Sequence, residues 1–244
     1  MTLHVVVVTV EASVPCRPSG LNNQSMISAP TPAPSSRPGW IPRRGVSVAL
    51  LGPDGAGKST TIEAVKREAW LPVRVIYMGL YQGTPRDRRR SRLRPPGIGL
   101  AATLLRQQAR WLAGAYHRRR GRLVLFDRYT FDSLLPPERE LSALGRLRRR
   151  LLARACPAPD VTLILDAPAE VLYQRKREYD VETLERHRRG YVSLQREVPR
   201  AAVIDAAGSA DETVRQVLAV AWEAYAGRGN DSRSGRTAAR RPPA

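Results

Sequence analysis

From Val46 onward the chain alternates between short apolar runs and longer segments whose apolar residues recur every three or four positions. VSVALLG, Val46 to Gly52, is an uninterrupted run of the kind that a strand covered on both faces requires. Ile62, Val65 and Ala69 follow at helical spacing. The same reading predicts strands around Val73 to Leu80, at Leu123 to Phe126 ending in Asp127, in VTLILDAP, and at Ala201 to Ala206. Helical faces lie between them: Leu100, Leu104, Gln108, Trp111 and Ala115, then Leu141, Leu144, Leu147, Leu151 and Ala155. Glu170 to Arg177 begins a helix that passes into a charged segment, after which Val181, Leu184, Tyr191, Leu194 and Val198 recur. Ser209 and Glu212 have capping-box spacing ahead of a last helix carrying Val214, Val217, Leu218 and Trp222. Strands alternating with helices predict an α/β fold, a parallel sheet of five strands with helices on both faces. That is one domain, spanning 44–226.

The flanks read differently. Residues 12–43 are rich in Pro and Ser, so 1–43 is expected to be a disordered or poorly ordered leader in which the early VVVVTV has the pattern of an extra strand, and 227–244 a disordered basic tail. No apolar run approaches the roughly 18 residues of a membrane span. The two cysteines, Cys16 and Cys156, share no metal-ligand spacing, and the three histidines are scattered. A reducing, cytoplasmic setting fits this usage. The net charge is +19, and 38 of the 41 basic residues are arginine. Residues 44–226 hold 33 basic against 20 acidic side chains, a net of +13. Such a surface attracts nucleotides and other phosphorylated molecules as well as nucleic acid. The six arginines from Arg86 to Arg94 are not interleaved with aromatics that could stack bases. A solvated loop or a phosphate clamp is the better reading, and no nucleic-acid partner is expected.

GPDGAGKST, Gly52 to Thr60, fits the phosphate-loop pattern at Gly52, Gly57, Lys58 and Ser59. Glycines let successive N–H groups of Asp54, Gly55, Ala56, Gly57 and Thr60 turn inward, and the following helix adds its positive end. Lys58 is placed to reach β- and γ-phosphates, and the Ser59 hydroxyl to ligate Mg2+. No asparagine occurs between Asn23 and Asn230, which excludes the N-K-x-D guanine reader of a GTPase. A motor-type ATPase would carry Asp-Glu where this chain has Asp127–Arg128. An aspartate there can hold Mg2+ or orient an acceptor, and an arginine fork suits an anionic acceptor. Transfer is therefore favoured over hydrolysis.

GPDGAGKST, FDRY, LILDAPAEVLYQRKRE and VIDA together resemble the thymidylate kinase family of P-loop nucleotide kinases, over most of 46–226. The resemblance implies the three-layer P-loop NTPase fold with the third strand beside the first, and a lid after the L-D-x-P helix. It implies ATP and Mg2+ as cofactors, with Lys58 and Ser59 on ATP and magnesium and Asp127 near magnesium and the acceptor. Asp54 would face the acceptor's sugar, Arg128 its phosphate, and Tyr129 would join them on the acceptor side. Arg175 would stack on adenine, and Arg177 would reach the transferring phosphoryl from the lid. A homodimer is also implied.

The chain departs from that family at two places. The segment after the second strand reads YMGLYQGTPRDRRR in place of Arg-Glu-Pro-Gly-Gly, leaving Arg86 as the candidate substitute. The usual pair for the thymine ring is missing, and Trp111, Tyr116 and Phe131 are candidates by position alone. Asp132 is an added acidic residue five positions beyond Asp127. The expected activity is ATP-dependent phosphoryl transfer to a nucleoside monophosphate, dTMP first. Two alternatives stay open: a kinase for another small phosphorylated or sugar-like metabolite, and a non-catalytic ATP-binding module that regulates a partner.

Overall fold

The structure is a computed structural model describing residues 44–80, 98–137 and 140–238. The leader 1–43, the arginine-rich stretch with Arg86, and residues 239–244 lie outside these. In chain order the elements are β1 (Ser47–Leu51), α1 (Lys58–Glu68), β2 (Val73–Tyr77), α2 (Ile98–Arg119) and β3 (Leu123–Asp127). A 3-10 turn (Thr130–Leu134), α3 (Ala143–Ala153), β4 (Val161–Asp166), α4 (Ala169–Arg175) and α5 (Val181–Ser193) follow. A second 3-10 turn (Leu194–Arg196), β5 (Ala201–Asp205) and α6 (Ala210–Ala238) complete the described chain.

All five strands are parallel, in the order β2-β3-β1-β4-β5, so the third strand lies beside the first. Alternation along each strand sends side chains to two separate cores. Val48, Leu50, Leu123, Leu125, Leu163 and Leu165 pack with Ile62 and Val65 of α1 and with Val214, Val217 and Ala221 of α6. Ala49, Leu51, Val124, Phe126 and Ile164 pack on the other face with Met78, Tyr129, Phe131, Tyr191 and Leu194. Full burial of such a side chain is worth about 1.5–3 kcal/mol. Because both faces are covered, the central strands can be apolar at every position, which is why they read as runs.

Two helices differ from their predicted faces and a third in its extent. On α2 Gln107 and Gly114 are buried, while Gln108 is exposed. A Cβ on Gly114 would stand 2.5 Å from the Phe126 ring, so a missing side chain, not an apolar one, lets this helix approach the sheet. On α3 the stripe Leu144, Leu147 and Leu151 is 73%, 53% and 47% exposed, and the buried residues are Leu152, Ala153 and the following Ala155. Contact is made by the C-terminal end of α3, where Arg149 donates to the carbonyls of Ser133 and Leu135. The last helix continues to Ala238, beyond the boundary expected at 226, with no proline before Pro242 to stop it. Beyond the end of α1, Trp70 meets Trp222 of α6 edge-on at 5.2 Å between ring centroids, with Tyr225 beside both. No helix among the described residues is long and apolar enough to cross a membrane.

One polar knot is set into this apolar frame. The Asp160 carboxylate, 4% exposed, accepts hydrogen bonds from the Ser47 amide (2.8 Å) and hydroxyl (2.9 Å) and pairs with Arg118 at 3.2 Å. It joins the starts of β1 and β4 to the end of α2. Removing it leaves a buried N–H and a half-buried guanidinium without their acceptor. Asp160→Ala is expected to lose about 3 kcal/mol of stability in urea unfolding, whereas an exposed Glu63→Ala control should change it little.

Candidate active site

β1 and β3 deliver the site because they are neighbours and end together, with Leu50 opposite Asp127 in register. Beyond them the Arg128 amide donates to Leu50 O at 3.0 Å, carrying the pairing one residue past the strand. The phosphate loop leaves β1 at the same level. Gly52 has φ +144°, and a Cβ there would lie 2.6 Å from Leu165 O, so the turn out of the strand requires glycine. Gly57 caps α1 with no side-chain hydrogen bond, and no acidic residue occupies the first turn of that helix. The first amides of α1 are thus uncovered by side-chain caps, the arrangement that receives an anion. Asp54 and Gly55 are half-buried, Ala56 is buried, and Ser59 and Thr60 are exposed at the helix start.

Lys58 lies back along the loop and donates to Gly52 O (2.8 Å) and Pro53 O (2.7 Å). Burial, followed by the nearby Arg128 charge, lowers its pKa to about 8 against the opposing pull of Asp54, Asp132 and Asp127. Arg128 is the hub. Its backbone stands at φ +64°, a left-handed conformation uncommon outside glycine. Its Nη2 donates to Asp54 Oδ1 at 2.8 Å, its Nη1 donates to the Tyr191 hydroxyl at 2.9 Å, and Asp132 Oδ2 lies 3.7 Å from Nη1. Burial opposes its charge, but Tyr191, Asp132 and Asp54 outweigh burial and raise its pKa above the ordinary value. Asp127, Asp54, Lys58 and Arg128 therefore converge, as the sequence predicts.

The other predicted residues are placed differently. Tyr129 is wholly buried between Phe126 and Phe131, and its hydroxyl donates to Pro157 O, so it is a core residue with no face for an acceptor. Phe131 is buried with it. Tyr116 sits at the end of α2 under Arg120, on the side of the sheet where β3 begins, away from the loop. Trp111 is half-buried against the Phe126 side of the core. Arg175 donates to Ala206 O at 2.8 Å and to the carbonyls of Ala207 and Gly208, bracing the turn after β5. Arg177 lies over the Tyr173 ring, 6.0 Å from its centroid. Its neighbour Lys176 pairs with Glu178 at 2.7 Å. Arg86 lies outside the described residues.

Two contributors were not legible as site residues, and a third, Asp132, read only as an added polar contact. Tyr191 reads in the sequence as one more apolar position of α5, yet its hydroxyl binds the Arg128 fork. Arg188, also on α5, donates to both oxygens of Asp166 at 2.8 and 2.9 Å, fixing that helix to the end of β4. Asp132 has a side chain only 8% exposed, and its Oδ1 is buried with no hydrogen-bond partner among the described residues.

This is the three-layer P-loop NTPase fold, five parallel strands with a phosphate loop after the first. No family model matches the chain. The solved structure of thymidylate kinase from Candida albicans is similar to it, at 17% sequence identity and a TM-score of 0.50, over 77% of this chain and 93% of that one. At that identity the likeness is one of fold.

The Arg188–Asp166 pair is half-shielded and bidentate, and it holds the helix that carries Tyr191. Arg188→Ala should cost on the order of 1.5–3 kcal/mol and speed amide hydrogen exchange in α5. Arg188→Lys should recover only part of either, since a single ammonium cannot span both oxygens.

Proposed function

We propose that this protein is an ATP- and Mg2+-dependent phosphotransferase that passes the γ-phosphoryl group of ATP to a nucleoside monophosphate, with dTMP as the first acceptor to test. The observation that carries this reading is the Arg128 fork, held 2.8 Å from Asp54 of the phosphate loop and within electrostatic reach of Lys58. A hydrolase has no use for a second anion site beside its triphosphate. A kinase with a phosphorylated acceptor needs one, because two anions must approach in line.

Ser59 and Asp127 fit Mg2+: both present oxygen, the ligand type this ion prefers, at the ends of α1 and β3. Bound there with ATP, the ion neutralises charge on the β- and γ-phosphates. The loop amides and Lys58 hold the phosphate chain, Lys58 exchanging its bonds to Gly52 O and Pro53 O for phosphate oxygens. Arg128 grips the acceptor's phosphate, and Asp54, drawn off the guanidinium, is free to accept from a sugar hydroxyl. An acceptor phosphate oxygen then bonds to the γ-phosphorus while the bond to the β–γ bridging oxygen breaks. The attacking oxygen is already anionic at neutral pH, so no base is required. Lys176 to Asp180, the connection between α4 and α5, is the segment suited to close over the reacting groups and exclude water.

The test begins with purified protein, ATP, Mg2+ and a panel of nucleoside monophosphates, nucleosides and sugar phosphates. Lys58→Ala should abolish transfer while melting no lower than wild type, since it removes a buried charge. Arg128→Ala should leave ATP affinity in calorimetry unchanged but lower transfer at least tenfold, a loss of roughly 1.5–3 kcal/mol, and Arg128→Lys should restore only part. Unchanged transfer in Arg128→Ala would remove the acceptor-phosphate role. Tight ATP binding with no product from any acceptor would point to a regulatory module.

A further inference from the structure

Arg128 has two carboxylate partners where one would balance its charge. Asp54 binds it from the phosphate loop, Asp132 approaches it from the turn after β3, and Tyr191 takes a third position from α5. With both carboxylates ionised their two charges outweigh that of Arg128 itself, which leaves little of it for a phosphate. Asp54 is half-buried at the loop surface and can turn away. Asp132 cannot: its side chain is 8% exposed, and one oxygen is buried with no hydrogen-bond partner among the described residues.

We propose that Asp132 is a positioning residue that takes up a proton when the acceptor's phosphate binds, releasing the Arg128 charge to that phosphate. The proton comes from solvent and rests on a carboxylate oxygen of Asp132; the phosphate takes its place as the anion facing Arg128. The groups around Asp132 are Arg128 after β3, Lys58 at the head of α1 and Tyr191 on α5, with Asp54 close to the first two. Burial raises its pKa to about 6, against the opposing effects of Arg128, Lys58 and the Tyr191 hydrogen bond. In the free protein it is therefore mostly ionised at pH 7.5, yet close enough to neutrality for the charge of an arriving dianion to raise its pKa and draw a solvent proton onto it. A carboxylate held at its ordinary value near 4 would resist, and an asparagine would have nothing to take up.

The sign follows. The bound state holds more protons than the free state, so acceptor affinity rises as pH falls from the pKa of the complex towards that of the free protein. The limit is one proton, or tenfold in Kd per pH unit. The acceptor's own second ionisation, near pH 6, acts in the opposite direction, so the window to read is pH 7.0–8.5.

This inference rests on the acceptor-phosphate reading above, and the experiment separates the two. Protein saturated with Mg2+ and a non-hydrolysable ATP analogue is titrated with dTMP, or with the best nucleoside monophosphate of the panel. Calorimetry is run in two buffers of different ionisation enthalpy. Preloading the analogue removes any protonation of Lys58 from the signal. Wild type should take up between about half and one proton at pH 7.5, with Kd weakening several-fold from pH 7.0 to 8.5. Asp132→Asn should bind the acceptor with no uptake and a flat pH profile, and should melt no lower than wild type at pH 8. Tyr191→Phe, which keeps Asp132, should retain the uptake. Binding by wild type without proton uptake, or uptake that persists in Asp132→Asn, overturns this inference alone. Failure to bind any nucleoside monophosphate overturns the proposed function and this inference with it.

Discussion

The hydrogen bond from the Arg128 amide to Leu50 O, 3.0 Å long, joins the two halves of the site. It continues the β1–β3 ladder one residue past the strand and ties the phosphate loop to the residue that holds Asp54. β3 can lie there because the chain skips a place after β1: β2 takes the outer position and β3 the one between them. The Met78 amide, donating to Asp127 O at 2.8 Å, closes the same pairing from the other neighbour. The left-handed backbone of Arg128 costs on the order of 1 kcal/mol, and two ladders plus three side-chain partners hold it in place.

Around that bond the structure gathers charge out of water. Lys58, Arg128, Asp54 and Asp132 form a cluster of opposite charges, in which neighbours outweigh burial at Arg128 but not at Lys58 or Asp132. Lys58 is left with a lowered pKa and Asp132 with a raised one, both nearer neutrality than their exposed counterparts. Such a site responds strongly to added anions, since its groups already stand near the edge of their charged states. Stability is supplied elsewhere, by the two apolar cores and by the Asp160 knot at the opposite ends of β1 and β4.

The sheet was largely legible because strands covered on both faces leave continuous apolar runs, and the phosphate loop because its glycines have a spacing that backbone geometry demands. The helix faces were less so. Gly114 and Gln107 bury themselves on α2 without adding to any apolar count, and the leucine stripe of α3 looks like a core face but stands in solvent. At the site, Lys58, Asp54, Asp127 and Arg128 lie next to strand ends and could be placed by chain position. Tyr191 could not, since a tyrosine at helical spacing looks the same whether its hydroxyl meets a guanidinium or nothing. Tyr129 erred in the other direction: the family resemblance suggested a substrate contact, but the turn after β3 sends its ring into the core. The role of Arg177 came from the family resemblance, and in the structure its guanidinium lies over the Tyr173 ring.

The aromatic contact beyond the end of α1 gives the molecule an optical handle. α1 starts at Lys58 in the phosphate loop and ends two residues before Trp70, whose indole meets Trp222 of α6 edge-on. An eleven-residue helix is a stiff rod about 16 Å long, so a small tilt at its phosphate end displaces one indole against the other. Both rings are about two-fifths exposed, where emission is sensitive to such displacement. A ligand that tilted the phosphate end of α1 would therefore move one indole against the other and change their emission, without any label.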